Sequence, residues 1–264
     1  MSIATLDLLP SVIKISENAS VEILKYYNSD FSIEEKDDHT PLTSADIAAH
    51  QCIVDALKEL TPEIPILSEE ASNIPFEERK KWNTYWLVDP LDGTREFINK
   101  NGEFSVNIAL VSDHQPILGV IHVPVNGDCY YATKGNGAYK RSVNGTEKLS
   151  VKTTNRDLIV VAGSRSYRDS SLDGFLKNIG NHEIISMGSS IKSCLVAEGT
   201  IDIYPRLGPT SEWDTAAAQC IVEEAGGHIT DTTLKPLRYN TKDVLLNPHF
   251  LVFADHTINW PEYL

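Results

Sequence analysis

Residues 86–94 read Trp86-Leu87-Val88-Asp89-Pro90-Leu91-Asp92-Gly93-Thr94, an apolar strand that runs straight into a carboxylate. Pro90 fixes the turn and Asp92-Gly93 reverses the chain, so both aspartates can project from one strand end into a common space. Thr94 opens a new segment. If that segment is helical, the N–H groups near Gly93 and Thr94 point at whatever the aspartates hold, an arrangement suited to a phosphate. Read alone, the same residues are equally an Asx-turn followed by an N-cap, each needing only one Asp.

Upstream of this stretch two helices open the fold. Leu9, Val12, Ile13, Ser16, Ala19, Ile23, Leu24 and Tyr27 recur at helical spacing. After an acidic loop that includes Glu34-Glu35-Lys36-Asp37-Asp38, Thr43-Ser44-Ala45-Asp46 reads as a helix start, with Ile47, Val54, Leu57 and Leu60 on one face and a stop before Pro62. Downstream, strands dominate: residues 85–88, 104–111, 117–123 and 128–132, the last leading through Gly135-Asn136-Gly137 toward Tyr139. Short links between them predict an antiparallel sheet. Near residue 150 the pattern changes to strand-helix alternation, with strands at 158–161, 184–185 and 201–204. A last long helix from about Thr215 ends at Gly226-Gly227. The expected class is therefore α/β, or layered α+β. It has an N-terminal α+β lobe over residues 1–150 that carries a helix pair and an antiparallel sheet, and a C-terminal α/β lobe over residues 151–264. No linker separates them, so a rigid interface is expected.

Bulk composition narrows the function. Of 264 residues, 41% are hydrophobic and 23% charged, the balance of a globular protein. A net charge of −14 excludes polymeric nucleic acid as a partner, because such binding needs a basic footprint, and argues against an anionic membrane surface. Cys52, Cys129, Cys194 and Cys220 lie far apart without metal or disulfide spacing. The N-terminus lacks a signal-peptide pattern, no run is long enough to be a transmembrane segment, and no basic amphipathic helix suggests peripheral attachment to the inner membrane. A cytoplasmic location is expected. The sequence carries no marker of oligomeric state.

Three further acidic features stand among apolar residues. Leu67-Ser68-Glu69-Glu70 follows the apolar Ile64-Pro65-Ile66, and is also readable as a solvated loop after an edge strand. Asp214, in Glu212-Trp213-Asp214-Thr215, stands at a helix head, where Asp is a good N-cap. Asp46 is accounted for by a capping box with Thr43. Converging on one turn, such carboxylates would repel one another and any phosphate unless hard cations sat between them. Oxygen ligands select magnesium-like ions over zinc or copper. Paired ions would neutralise a phosphate ester and lower the pKa of an attacking water. Thr94 is then placed to orient that water, with its hydroxyl held by Asp46, while Glu69 or Glu70 assists in activating it.

Ser68-Glu69-Glu70, Asp89-Pro90-Leu91-Asp92-Gly93-Thr94 and Trp213-Asp214-Thr215-Ala216-Ala217, in that order, resemble the inositol monophosphatase superfamily of lithium-sensitive, magnesium-dependent phosphatases. More narrowly, residues 40–50, Phe97 through Val111, Gly188-Ser189-Ser190-Ile191-Lys192 and Tyr204-Pro205-Arg206-Leu207-Gly208-Pro209-Thr210 resemble the bacterial 3′(2′),5′-bisphosphate nucleotidases within it. The similarity spans roughly residues 10 to 255. It implies an αβαβα sandwich. It also implies two or three Mg2+ ions held by Glu69, Asp89, the Leu91 carbonyl, Asp92 and Asp214, with Asp89 bridging two sites. Gly93 and Thr94 match the phosphate cradle, Asp46 and Thr94 the pair that positions the water, and Glu70 follows the metal-binding Glu69 in the usual order. Ser189, Lys192 and Arg206 fall where related nucleotidases contact the uncleaved phosphate or the ribose. Together with Glu69, Leu91, Asp92, Gly93, Thr94 and Asp214 they make up the implied substrate site. One departure is Tyr167, where the group often carries His.

The implied substrate is a small phosphorylated nucleotide, 3′-phosphoadenosine 5′-phosphate, converted to AMP and phosphate. The corresponding phosphosulfate is a second candidate, and the reaction would support sulfate assimilation. The neighbouring expectation is a superfamily member acting on inositol monophosphate or fructose bisphosphate. An aspartyl-phosphate phosphatase with the motif D-x-D-G-T is disfavoured, because Asp89 and Asp92 are three apart and strand alternation puts i and i+2 on one side. A calcium-binding module is disfavoured because the acids are spread from Glu69 to Asp214 rather than alternating in one loop.

Overall fold

The computed structural model describes residues 5–29, 33–35, 41–154, 157–166 and 170–264; Thr40, Tyr167 and residues 36–38 of the acidic loop lie outside the described residues. Helix α1 (Thr5–Tyr27) is followed by a short hairpin, β1 (Ile33–Glu35) and β2 (Pro41–Thr43), and by α2 (Ser44–Leu60). A seven-stranded sheet comes next: β3 (Ile66–Ser68), β4 (Thr84–Asp92), β5 (Ser105–Ser112), β6 (Gln115–His122), β7 (Cys129–Thr133), β8 (Ala138–Ser142) and β9 (Gly145–Lys148), hydrogen-bonded in that order. Two short helices, α3 (Phe76–Arg79) and α4 (Thr94–Ile98), precede and follow β4. The remaining chain forms β10 (Ile159–Ser164), α5 (Ser170–Ile179), β11 (His182–Met187), α6 (Ile191–Ala197), β12 (Ile203–Arg206), α7 (Glu212–Glu224), β13 (His228–Asp231) and β14 (Phe250–Phe253). Its five-stranded sheet has the order β11-β10-β12-β14-β13.

Five layers result, stacked by the faces each element must bury. Val12, Ala19 and Ile23 of α1, with Ile53 and Leu57 of α2, pack on Trp86 and Val88 of β4 and Ile108 of β5. The alternate residues of β4, Tyr85 and Leu87, face the other way, toward Ala216, Ala217 and Ile221 of α7. This explains why residues 85–88 read as an unbroken apolar run: the strand is covered on both faces. α6 and α7 lie between the two sheets and share one core with Tyr204, Phe250 and Val252 of the smaller sheet. Beyond that sheet, Val161, Leu251 and Phe253 pack against Phe175 of α5 and Trp260. The middle layer is thin because Gly119 of β6 lets α7 approach: a Cβ there would lie 2.4 Å from the Ala217 carbonyl oxygen.

Two expectations need correction. The larger sheet is mixed, since β3 pairs with β4 in parallel; residues 69–83 provide the length that a parallel return requires. The last long helix starts at Glu212 rather than Thr215, and its N-cap is Ser211. Among the described residues no helix is long and apolar enough to cross a membrane.

Candidate active site

At the end of β4 the ladder slips. Asp89 pairs with Asn107 and Asp92 with Ser105, so β4 spends one more residue than β5 over the same length. Pro90 has no N–H to give the ladder, and the Leu91 N–H turns instead to Asp89 Oδ1 at 3.0 Å. In a regular strand, residues three apart point to opposite faces; the bulge cancels that alternation and brings Asp89 and Asp92 to one side. Gly93 then takes φ 92° and α4 begins at Thr94. A side chain at Gly93 would crowd the Glu103 carbonyl oxygen and Ser189 Cβ at 3.2 and 3.3 Å.

Other elements complete the group. Because β3 runs parallel to β4 with Ser68 opposite Val88, Glu69 leaves the sheet beside Asp89 in a 3₁₀ turn, Glu69–Ala71. Asp214 comes from α7, where it is the third helical residue rather than the cap, and its Oδ2 accepts the Ser211 N–H at 2.8 Å. Asp89, Asp92 and Asp214 each offer an oxygen within 4.8 Å of the others. Asp89 is buried, and the other two are half-buried. Burial holds the Asp89 proton well above the ordinary carboxylate range, and the charges of Glu69, Asp92 and Asp214 push it further up. Asp214 keeps part of its surface open, yet withdrawal from solvent and the Asp92 charge raise it too, against the Ser211 N–H.

Glu69, Asp89, Leu91, Asp92, Gly93, Thr94, Ser189, Lys192, Arg206 and Asp214 line one cavity of about 400 Å³. Asp46 and Glu70 do not. Asp46 is buried at the start of α2, where its Oδ2 accepts the Thr43 N–H (2.8 Å) and hydroxyl (2.6 Å), and its Oδ1 faces Thr94 Oγ1 at 3.2 Å. Lys192 is buried at the cavity wall, its Nζ donating to the carbonyls of Ser189 (2.7 Å) and Met187 (3.1 Å). Burial lowers its pKa to about 8, with the Asp92 charge opposing. Arg206 donates to the Pro209 carbonyl at 2.9 Å on the cavity edge. Trp213, Tyr204 and Arg95 also line the cavity, and none of them is among the site residues expected from sequence. Asn107 and Ser190 were likewise not picked out, although both bind Asp92 Oδ2. A signal existed for Asn107: an amide inside the apolar run Val106 to Val111 must have a partner.

The family model described as "Inositol monophosphatase family" matches residues 8–257. A 3′(2′),5′-bisphosphate nucleotidase CysQ of Escherichia coli O157:H7 is 45% identical over 247 residues, covering 93% of this chain and 99% of that one. The protein of the same description from Aggregatibacter actinomycetemcomitans is 43% identical over 262 residues, 98% of this chain and 97% of its own. Among solved structures, CysQ from Bacteroides thetaiotaomicron superposes with a TM-score of 0.83 at 42% identity, covering 96% of this chain and 99% of that one.

Proposed function

The chain belongs to the inositol monophosphatase family, and from that premise we propose that it is a magnesium-dependent 3′(2′),5′-bisphosphate nucleotidase, hydrolysing 3′-phosphoadenosine 5′-phosphate to AMP and phosphate. The observation that carries the substrate is 43–45% identity, over nearly the whole length, to nucleotidases of that description. The phosphosulfate analogue is a second substrate of the same shape, and the reaction belongs in the cytoplasm, where it serves sulfate assimilation.

The donors fit a hard divalent cation. Carboxylate oxygens within 4.8 Å of one another, pressed toward protonation by burial and by each other's charge, are relieved by positive charge, of which Arg206 supplies a part at Asp214. Asp89, Asp92 and Asp214, with Glu69 and the Leu91 carbonyl, would hold two or three magnesium ions, which when bound supply countercharge to the phosphate ester and acidify an attacking water.

The chain's own groups do the rest. Thr94 Oγ1 has one proton, directed at Asp46 Oδ1 (3.2 Å) and the Leu91 carbonyl (3.3 Å), so toward the cavity it offers lone pairs only. A water there donates to Thr94 Oγ1 and keeps its own lone pair for phosphorus. As the water gives up that proton, the Thr94 proton passes to Asp46 Oδ1, the oxygen not engaged by Thr43. Glu70, next to Glu69 in the chain and outside the cavity lining, has only an assisting part. Gly93 presents bare backbone to the cleaved phosphate. Ser189, Lys192 and Arg206 receive the other phosphate or the ribose, Lys192 with the one N–H that its two carbonyl partners leave.

Phosphate release from adenosine 3′,5′-bisphosphate and from inositol 1-phosphate, assayed side by side with Mg2+, tests the reading. We expect kcat/KM to favour the nucleotide by about 100-fold or more, with lithium inhibiting. A preference for inositol 1-phosphate overturns the substrate while leaving the family chemistry in place.

A further inference from the structure

Ser190 stands where four elements meet, just before α6 and against the ends of β4, β5 and α7. Its N–H and its hydroxyl both reach Asp92 Oδ2 at 2.6 Å, and the hydroxyl lies 2.7 Å from the main-chain carbonyl oxygen of Asp214. From β5, Asn107 Nδ2 spans Asp92 Oδ2 (3.2 Å) and Ser190 Oγ (3.0 Å), while Asn107 Oδ1 accepts from Ser105 Oγ at 3.0 Å, which sets the direction of the amide. Ser190, Asn107 and Ser105 are all buried. Packing alone does not call for such groups, because buried amides and hydroxyls cost free energy unless they are hydrogen-bonded. Here the donors converge on one oxygen of one carboxylate.

We infer that Ser190, oriented by Asn107, is a positioning residue that sets the separation of Asp92 and Asp214, so that loss of its hydroxyl weakens uptake of a divalent cation. Asp92 Oδ2 already accepts from the Ser190 N–H, the Ser190 hydroxyl and the Asn107 amide, which leaves Oδ1 as the oxygen with capacity for an ion. The single proton of that hydroxyl is shared between Asp92 Oδ2 and the main-chain carbonyl oxygen of Asp214, so one side chain bridges a ligand on the larger sheet and the backbone of a ligand on α7. Like charges this close push apart when nothing ties them. Partners that orient a ligand in this way are worth about 10–100-fold in metal affinity.

The inference rests on the proposed divalent-ion site, and the experiment separates the two. Mg2+ binding to the substrate-free protein is measured by calorimetric titration for wild type, Ser190→Ala, Ser190→Cys, Ser190→Thr and Asp92→Asn, alongside metal-free melting curves. Cysteine keeps the volume but donates weakly. Alanine and cysteine should raise Kd about 10-fold, with threonine returning it toward the wild-type value. Should Ser190→Ala fail to fold, Ser190→Cys decides. Wild-type affinity in the cysteine variant, or no rescue by threonine, overturns the inference. Absence of Mg2+ binding in wild type, or undiminished binding in Asp92→Asn, instead overturns the site itself.

Discussion

Thr94 Oγ1 donates to Asp46 Oδ1 across 3.2 Å, joining the first residue of α4 to the third residue of α2. Asp46 therefore does two jobs. Its Oδ2 closes a capping box with Thr43, and its Oδ1 holds the hydroxyl that faces the cavity. Asp46→Asn should lower kcat by about 100- to 1,000-fold, since an amide cannot take the Thr94 proton, while costing about 1 kcal/mol of stability through the weakened cap. Mg2+ affinity should barely move, because Asp46 lies outside the cavity lining. Steady-state kinetics, melting and metal titration on one preparation check all three. A variant that loses metal in proportion to activity would place Asp46 among the ligands.

The metal-free protein should show how strongly its carboxylates resist ionising together. Asp89 and Asp214 hold their protons above the ordinary range, so above pH of about 4 the folded chain binds more protons at these sites than the unfolded chain. Their contribution to stability then falls as pH rises. His122, whose burial lowers its pKa to about 4, acts in the opposite direction below neutrality, so wild type alone does not isolate the effect. Comparison with Asp89→Asn does. Without metal, the variant should gain on wild type progressively as pH rises above about 4, the ordinary carboxylate range. A gap independent of pH would mean that the carboxylates are ionised and relaxed in the absence of an ion.

Much of this architecture is visible in the sequence, for reasons tied to period and punctuation. The helical spacing from Leu9 to Tyr27, the capping pair Thr43 and Asp46, and the apolar run before Asp89 each state a local preference that tertiary packing keeps. The bulge is different. Pro90 and Gly93 announce a turn that can bring the two aspartates into one space, but not an extra residue in the ladder; pairing with Asn107 and Ser105 shows that a bulge is what turns them one way. Asp214 invites the wrong cap assignment for a related reason: Ser211 and Asp214 satisfy one box, and either alone looks like an N-cap. Ser190 escapes notice because its partners, Asp92 and the Asp214 backbone, come from remote parts of the chain.

The close approach of α7 to β6 makes Gly119 a lever on the site. Gly119→Ala places a Cβ 2.4 Å from the Ala217 carbonyl oxygen, backbone that can yield only if the helix moves. Overpacking of this kind costs about 1–3 kcal/mol, or a fall in Tm of about 2–4 °C for each kcal/mol in a chain of this size. Since α7 carries Asp214, its retreat should also raise the Mg2+ Kd, although the clash itself falls on the backbone of Ala217. Thermal melts with and without Mg2+ read both effects. Unchanged metal affinity in a clearly destabilised variant would show that α7 tilts about its N-terminus and leaves Asp214 in place.

Lys192 offers a pH signature that depends on the second phosphate. Burial brings its pKa to about 8, against the pull of Asp92, so in the free enzyme its charge is lost as pH rises past that value. Because kcat/KM reports the free enzyme, it should fall above pH of about 8 for adenosine 3′,5′-bisphosphate. Bound phosphate favours the protonated amine, so kcat should hold to higher pH. Lys192→Gln should lower kcat/KM at pH 7 about 10-fold or more, the value of one hydrogen bond to a charged group, and should abolish the alkaline limb. With 3′-AMP, which lacks the second phosphate, wild type itself should show little of that limb. If 3′-AMP and the bisphosphate lose activity in parallel above pH 8, Lys192 is not reading the uncleaved phosphate. Its donations to the Met187 and Ser189 carbonyls would then be its whole function, as a brace for the turn that carries Ser189 and Ser190.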